Sequence, residues 1–171
     1  LYISGQSAIE KFLFKMNSSG GFLWFKAITA HLQDLYLRNG IIYATGEKSN
    51  AGILEMHTVC YNATGDEQWV NNYNFPTSTF QGGKNIFVDA SGVIYVTGSG
   101  DGSSNGVDII TQKINSSGAT SWIKRFDVLG NSTDYTKSIG IDNNNNVYIT
   151  GISAMDPVTN GVAIKYNNQG D

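Results

Sequence analysis

The sequence has little of several residue types that mark common classes of protein. It contains one cysteine and two prolines in 171 residues. A single cysteine excludes a disulfide framework and a cysteine-based zinc site. Charged residues make up only 15%, with 11 basic against 14 acidic side chains, so the chain has no basic excess to neutralise nucleic-acid phosphates. No apolar run approaches the roughly 18 residues that a membrane-spanning helix needs.

What the sequence does contain favours a packed core. Hydrophobic residues make up 40% and aromatic residues 12%, whereas disordered chains combine low hydrophobicity with high net charge. The length corresponds to one domain or a piece of one.

The chain repeats itself. The pattern Tyr-x-(Ser/Thr)-Gly begins at Tyr2, Tyr43, Tyr95 and Tyr148. After each copy comes an Asn-x-x-Gly turn, at 17–20, 62–65, 115–118 and 167–170, and the first three turns are followed four residues later by tryptophan. All three tryptophans therefore occupy one repeat position, which is typical of a repeat architecture.

Each repeat predicts four short strands. In the third repeat they are Asn85–Val88, Val93–Thr97, Val107–Ile114 and Thr120–Phe126, bounded by Gly, Asn, Asp and Ser residues. No segment has a sustained helical period with caps. Each repeat of about 50 residues is thus a four-stranded antiparallel meander, and the whole chain has 14 strands.

One four-stranded sheet cannot bury both of its faces, so the copies must stack face to face. The architecture that does this with about 50 residues per unit is the β-propeller. We therefore predict an all-β fragment of one propeller domain, a partial ring. Its parts are a partial blade at 1–30, blades at 31–77 and 83–129, and a partial blade at 135–171.

The tryptophans and the turn glycines are the predicted docking residues between blades. Each indole ring is expected to pack over a neighbouring glycine turn, where it buries a large apolar area. The residues concerned are Trp24, Trp69, Trp122, Gly20, Gly65 and Gly118.

The strings around Asp89–Trp122 and Asp142–Gly170 resemble the bacterial and archaeal β-propeller repeat named SBBP. The resemblance extends over nearly the whole chain and is weaker in the second copy, where Leu37 and Cys60 replace the usual Asp and Lys. It implies a secreted or cell-surface protein, and it brings no catalytic residues with it.

No catalytic, cofactor or metal site is predicted. The Gly-x-Ser-x-Gly pattern at 102–106 precedes a strand rather than a helix, so a hairpin loop is favoured over a nucleophile elbow. His57 and Cys60 are three apart on a predicted strand and face opposite sides, which defeats a dyad. We therefore predict that the chain is not an enzyme.

Four Asn-x-(Ser/Thr) sequons offer possible glycosylation sites, at Asn17, Asn62, Asn115 and Asn131. The first three coincide with the repeat turn, which explains them without glycans. The recurrent tyrosines are expected in the core rather than on a sugar-binding platform.

The favoured function is a structural or adhesive module of a larger secreted or cell-surface protein. It would contact proteins or glycans through the variable segments Glu47–Gly52, Ser99–Gly106 and Ser153–Asn160. The alternative is a lectin-like or quinoprotein-like ligand-binding propeller. Since the chain lacks an initiator Met and a signal peptide, and begins and ends inside repeats, its expected first partner is the rest of its own chain.

Overall fold

The computed structural model describes residues 1–7, 10–101, 106–128 and 132–171. Fourteen strands form within these ranges, which confirms the all-β prediction. Their bounds are β1 Tyr2–Gln6, β2 Lys11–Met16, β3 Phe22–Ile28, β4 His31–Arg38, β5 Ile41–Asn50, β6 Ile53–Tyr61, β7 Glu67–Tyr73, β8 Gln81–Val88, β9 Ile94–Asp101, β10 Val107–Ile114, β11 Thr120–Phe126, β12 Thr133–Ile141, β13 Val147–Met155 and β14 Val158–Tyr166.

The strands form four antiparallel meanders, which we call the first to fourth sheets: β1–β3, β4–β7, β8–β11 and β12–β14. The third and fourth sheets are joined by one parallel pair, Val107 with Thr133. Within the described ranges the sheets do not close into a ring, and their assignment as blades of a partial ring stays a prediction.

Three apolar clusters lie between successive sheets. One contains Leu13 and Val59, the next Met56 and Val96, and the third Tyr95 and Ile149. Neighbouring residues on β9 thus enter different clusters, because successive side chains of a strand point to opposite faces. Both faces of the second and third sheets are therefore covered.

The glycine of the Tyr-x-Thr-Gly pattern lies opposite a bulge in the innermost strand. In the third sheet, the register between β8 and β9 shifts at Gly83 and Asn85, and Gly83 pairs with Gly98. A Cβ on Gly98 would collide with the carbonyl oxygen of Gly82. β4 and β12 carry the same bulge opposite Gly46 and Gly151, so the motif glycine is needed for a close backbone approach.

Two backbone hydrogen bonds join neighbouring sheets at equivalent positions. The Leu54 amide of β6 donates to the Thr79 carbonyl at 3.1 Å, and the Val107 amide of β10 donates to the Ser132 carbonyl at 3.2 Å. Each acceptor lies just before the first strand of the next sheet. These bonds fix successive sheets to each other at one edge of the stack.

No helix in the described part of the chain has the length and apolar character needed to cross a membrane.

Candidate functional site

The described residues of the three predicted contact segments lie mostly in strands and tight turns rather than in irregular insertions. β5 continues through Asn50, and Ala51 and Gly52 close a two-residue turn with φ of 49° and 87°. The third segment turns at Asp156 and Pro157, between β13 and β14. In the second segment Ser99–Asp101 belong to β9, and residues 102–105, with most of the Gly-x-Ser-x-Gly pattern, lie outside the described residues.

Each tryptophan packs on the turn glycine of the following sheet. A Cβ on Gly65 would lie 3.0 Å from the Trp24 ring, and a Cβ on Gly118 would lie 2.7 Å from Trp69. The Trp24 indole N–H also donates to the Ala63 carbonyl at 3.2 Å. The rings are half-buried rather than fully buried, because the outer edge of each sheet faces solvent.

The fourth turn completes this series. Trp122 packs on Gly170, where a Cβ would lie 3.0 Å from the ring, although the sequence analysis did not include Gly170 among the docking residues. No tryptophan packs over Gly20. A Cβ at that position would meet only the Met16 methyl group, at 4.0 Å.

The sequon asparagines organise the turns through their side-chain oxygens. Asn62 Oδ1 accepts hydrogen bonds from the Thr64 and Asp66 amides at 3.0 and 2.9 Å, and Asn17 and Asn115 accept equivalent bonds. These bonds account for asparagine at this position. Asn131 lies outside the described residues, and glycosylation stays a prediction.

A cavity of about 390 Å³ lies between β3 of the first sheet and β6 of the second. The end of β3 and the segment after it, from Lys26 to Ala30, form one wall. His57 and Tyr61 of β6 and the turn at 65–67 form the other. We call it the His57 cleft. Its volume lies within the range of small-molecule sites, about 300–1,000 Å³.

His57 is held neutral in this cleft. It is 4% exposed, and its Nδ1 lies 2.7 Å from Asn72 Oδ1. Since an amide oxygen only accepts, Nδ1 carries the proton. Burial lowers the pKa of His57 and outweighs the Asn72 hydrogen bond. Nε2 therefore keeps its lone pair, and it has no hydrogen-bond partner among the described residues.

The rim of the His57 cleft carries fixed polar groups. Lys26 Nζ pairs with Asp66 Oδ1 at 3.1 Å across the two sheets. Hydrogen bonds from Thr64, Lys26 and Asn62 lower the pKa of Asp66 to about 2. Burial raises the pKa of Tyr61 to about 12, so its phenol stays protonated. The cleft thus offers both donors and acceptors to an uncharged polar ligand.

His57 departs from the repeat. It pairs with Gly46 across the sheet, and the residues that pair with the equivalent glycines in the first, third and fourth sheets are Phe12, Ile110 and Val162. Sequence reasoning considered His57 only as a partner for Cys60. Aligning the four repeats would have shown a histidine where the other copies carry hydrocarbon.

The other candidate groups do not form a site with His57. Cys60 is 4% exposed and packs in the cluster between the second and third sheets, whereas His57 lines the cleft towards the first. Burial raises the pKa of the Cys60 thiol to about 11. His31 pairs instead with Glu47, Nδ1 to Oε1 at 3.1 Å. No group of three His, Cys, Asp or Glu residues within the described ranges is placed to hold a metal ion.

The recurrent tyrosines take two kinds of position. Tyr43 and Tyr95 are buried, at 8% and 0% exposure, and Tyr43 lies 6.2 Å from the Trp69 ring on its own sheet. Tyr148 of the fourth sheet is 41% exposed, because no following sheet covers it in this structure.

Comparison with known proteins supports the fold. The chain is similar to an endo-arabinase from Bacteroides thetaiotaomicron VPI-5482, with a TM-score of 0.55 and 12% identity over 99% of this chain and 72% of that chain. No curated protein matches the chain in sequence.

The similarity overturns the prediction that the chain is not an enzyme. That prediction depended on the absence of a recognisable catalytic set in a repeat architecture, and a protein with the same fold is a glycosidase. A repeating framework therefore does not exclude catalysis, because function is carried by sites placed on a fold.

The resemblance noted in the sequence is confirmed where a family model matches. The matched segment begins at the outer strand of the third sheet and extends to β13 of the fourth. A family model of the SBBP β-propeller repeat matches residues 121–153 of this chain.

Proposed function

We propose that this chain is a β-propeller binding module whose His57 cleft holds an uncharged, hydroxyl-rich ligand of about the size of one sugar residue. The observation that carries the proposal is a neutral histidine at a repeat position that is otherwise hydrocarbon. Burying an imidazole in place of a hydrocarbon side chain costs desolvation energy. Hydrogen bonds between the imidazole and a bound ligand offset that cost.

The chemistry of the cleft favours a neutral ligand. Nε2 of His57 accepts a hydrogen bond, the Tyr61 hydroxyl donates or accepts, and Lys26 is paired with Asp66, while Glu67 adds a further acceptor for hydroxyl groups. Sugar hydroxyls both donate and accept hydrogen bonds, so they complement this mixture. The endo-arabinase of the same fold is itself a glycosidase, which supports a carbohydrate as the first class of ligand to test.

The wider role predicted from the sequence is retained as a part of this proposal. Binding a glycan suits a structural or adhesive module of a secreted or cell-surface protein, which is the setting that the resemblance to the SBBP repeat implies. Contacts through the hairpins at 47–52 and 153–160 would add a second surface to such a module.

The proposal is tested by titrating the chain with arabinose, galactose, glucose, N-acetylglucosamine and arabino-oligosaccharides. Binding is followed by calorimetry and by the NMR signals of the imidazoles. We expect at least one sugar to bind and to shift the His57 signals. His57→Phe, which installs the residue type of Phe12, should weaken binding at least tenfold.

His31→Gln is the matched control, because it changes the other histidine outside the cleft and should leave the affinity unchanged. Absence of binding across the panel would contradict the proposal. Equal affinity of wild type and His57→Phe would contradict it as well.

A further inference from the structure

A second cavity, of about 220 Å³, lies where the first hairpins of the second, third and fourth sheets come together. We call it the Arg38 pocket. Its walls are Arg38 at the end of β4, residues 87–90 at the end of β8 and in the turn after it, and residues 141–143 and 145 at the end of β12 and in the turn after it. It shares no residue with the His57 cleft.

Arg38 reverses the charge that the repeat carries at this point. It is the last residue of β4 and closes the second hairpin, and the residues that close the third and fourth hairpins are Asp89 and Asp142. The second turn is one residue shorter than the third, so Arg38 rather than Leu37 takes the place of the acid. Its central residues 39–40 have φ of 51° and 78°, the conformation of a type I′ turn. This turn needs no side chain to organise it, so it does not explain the arginine.

The two acids of the pocket differ in what they have left to bind. Asp89 Oδ1 accepts hydrogen bonds from the amides of Ser91 and Val93, at 2.8 and 2.9 Å, and its Oδ2 accepts none from the described residues. Both oxygens of Asp142 accept two hydrogen bonds each. Asp89 is therefore the carboxylate of this pocket that has an oxygen available.

The guanidinium of Arg38 is also largely unused. Its Nη1 donates to the Val88 carbonyl at 3.4 Å, which is long for a hydrogen bond. No ion pair joins Arg38 to an acid within the described ranges, although Asp89 lines the same pocket. A guanidinium has five N–H donors, and two of them fit a carboxylate in parallel. The pocket thus holds a cation and an anion that do not neutralise each other.

The rest of the wall includes hydrocarbon. Phe87, Val88 and Ile141 line the pocket, and the Phe87 ring lies 5.3 Å from the ring of Tyr36. The volume is below the roughly 300–1,000 Å³ of sites for drug-sized ligands. A ligand for this pocket is therefore small, partly apolar, and charged at two points of opposite sign.

We infer that the Arg38 pocket binds a free α-amino acid with an apolar side chain. Arg38 binds the carboxylate of the ligand, Asp89 Oδ2 binds its ammonium group, and Phe87 and Ile141 contact its side chain. The neutral sugar proposed for the His57 cleft carries neither charge, so the two sites select different ligands and are independent of each other.

The test is an NMR titration of the chain with leucine, valine and phenylalanine. We expect at least one of them to bind and to shift the amide signals of Ser91 and Val93, which donate to Asp89. The N-acetyl derivative of that amino acid lacks the ammonium group, and its C-terminal amide lacks the carboxylate. Each derivative should bind at least tenfold more weakly than the free amino acid.

Two variants test the residues. Arg38→Gln keeps a long polar side chain without the charge. Asp89→Asn keeps an oxygen for the turn amides, as Asn62 does in its own turn. Each should weaken binding at least tenfold. Lys48→Gln removes a cation from β5 of the second sheet, outside the pocket, and is the matched control that should bind as wild type does. Circular dichroism shows whether each variant is folded.

Three results would overturn the inference. One is no binding of any of the three amino acids at about 10 mM, where a site with a Kd of about 1 mM would be mostly occupied. Another is equal affinity of wild type and a folded Arg38→Gln chain. The third, which needs no variant, is equal affinity for the free amino acid and for either derivative.

Discussion

At the scale of single residues, His57 has the clearest consequence for stability. Burial lowers its pKa from the ordinary 6.5, so the unfolded chain takes up a proton at a higher pH than the folded chain does. The contribution of neutral His57 to the free energy of unfolding is therefore fully present above about pH 6.5. It is lost progressively as the pH falls from there to the pKa of His57 in the folded chain.

We predict that His57→Phe removes part of this acid sensitivity. Urea unfolding followed by tryptophan fluorescence at pH 7.5, 6.5, 5.5 and 5.0 should give a decline in the free energy of unfolding that is shallower in the variant than in wild type. Identical slopes for wild type and His57→Phe would show that the imidazole is not desolvated.

Single residues also show how far the sequence predicts the site. The docking role of Trp24, Trp69 and Trp122 can be predicted from the sequence, because one residue type recurs at one position of the repeat. The His57 cleft cannot be predicted in the same way. It depends on which neighbouring sheet the histidine faces, and on the hydrogen bond between its Nδ1 and Asn72, fifteen residues further along the chain. The prediction that His57 and Cys60 face opposite sides of one strand is confirmed, because successive side chains of a strand alternate between its faces.

At the scale of elements, the bulged inner strands decide which glycines are essential. The close approach at Gly98 comes from backbone, a carbonyl oxygen that cannot move away without breaking the pairing of β8 with β9. Gly140 in β12 and Gly161 in β14 are not under this constraint, since nothing lies within 4 Å of a Cβ added at either position.

We predict that Gly98→Ala destabilises the chain by about 3 kcal/mol or more, because the added methyl overpacks a backbone contact. Gly161→Ala is the control: it lies in β14 with nothing within 4 Å of the new methyl. It should change stability by less than about 0.5 kcal/mol. Thermal unfolding of both variants checks this, and similar costs would mean that the bulge adapts.

Elements also differ in how well the sequence delimits them. β10 and β11 have the predicted bounds, because turn residues lie directly at their ends. β8 and β9 are longer than predicted, since Gln81, Gly82 and Gly100 resemble a loop in composition and yet pair across the two strands. Pairing with a neighbour overrides the weak local preference of such residues.

At the scale of the whole molecule, stability depends on how each sheet docks on the next. The contact of Trp69 with Gly118 joins the second and third sheets at the middle of the stack. Gly118 is constrained twice there, by its φ of 88° and by the ring above it.

We predict that Gly118→Ala costs more than Gly52→Ala by about 1–3 kcal/mol, the typical cost of overpacking. Both glycines have nearly the same φ, 88° and 87°, so an alanine suffers the same backbone strain at each. Only Gly118 has a ring within reach of the new methyl. Chemical unfolding measures both variants, and equal costs would show that the indole yields freely.

The inter-sheet hydrogen bonds from Leu54 to Thr79 and from Val107 to Ser132 join successive sheets at the same edge. The angle between neighbouring sheets is therefore set at that edge, while their opposite edges diverge. A small change in this angle at each hydrogen bond adds up over successive sheets. The circumference of any closed assembly built from these sheets is therefore governed by a few backbone atoms rather than by the bulk of the packed interior.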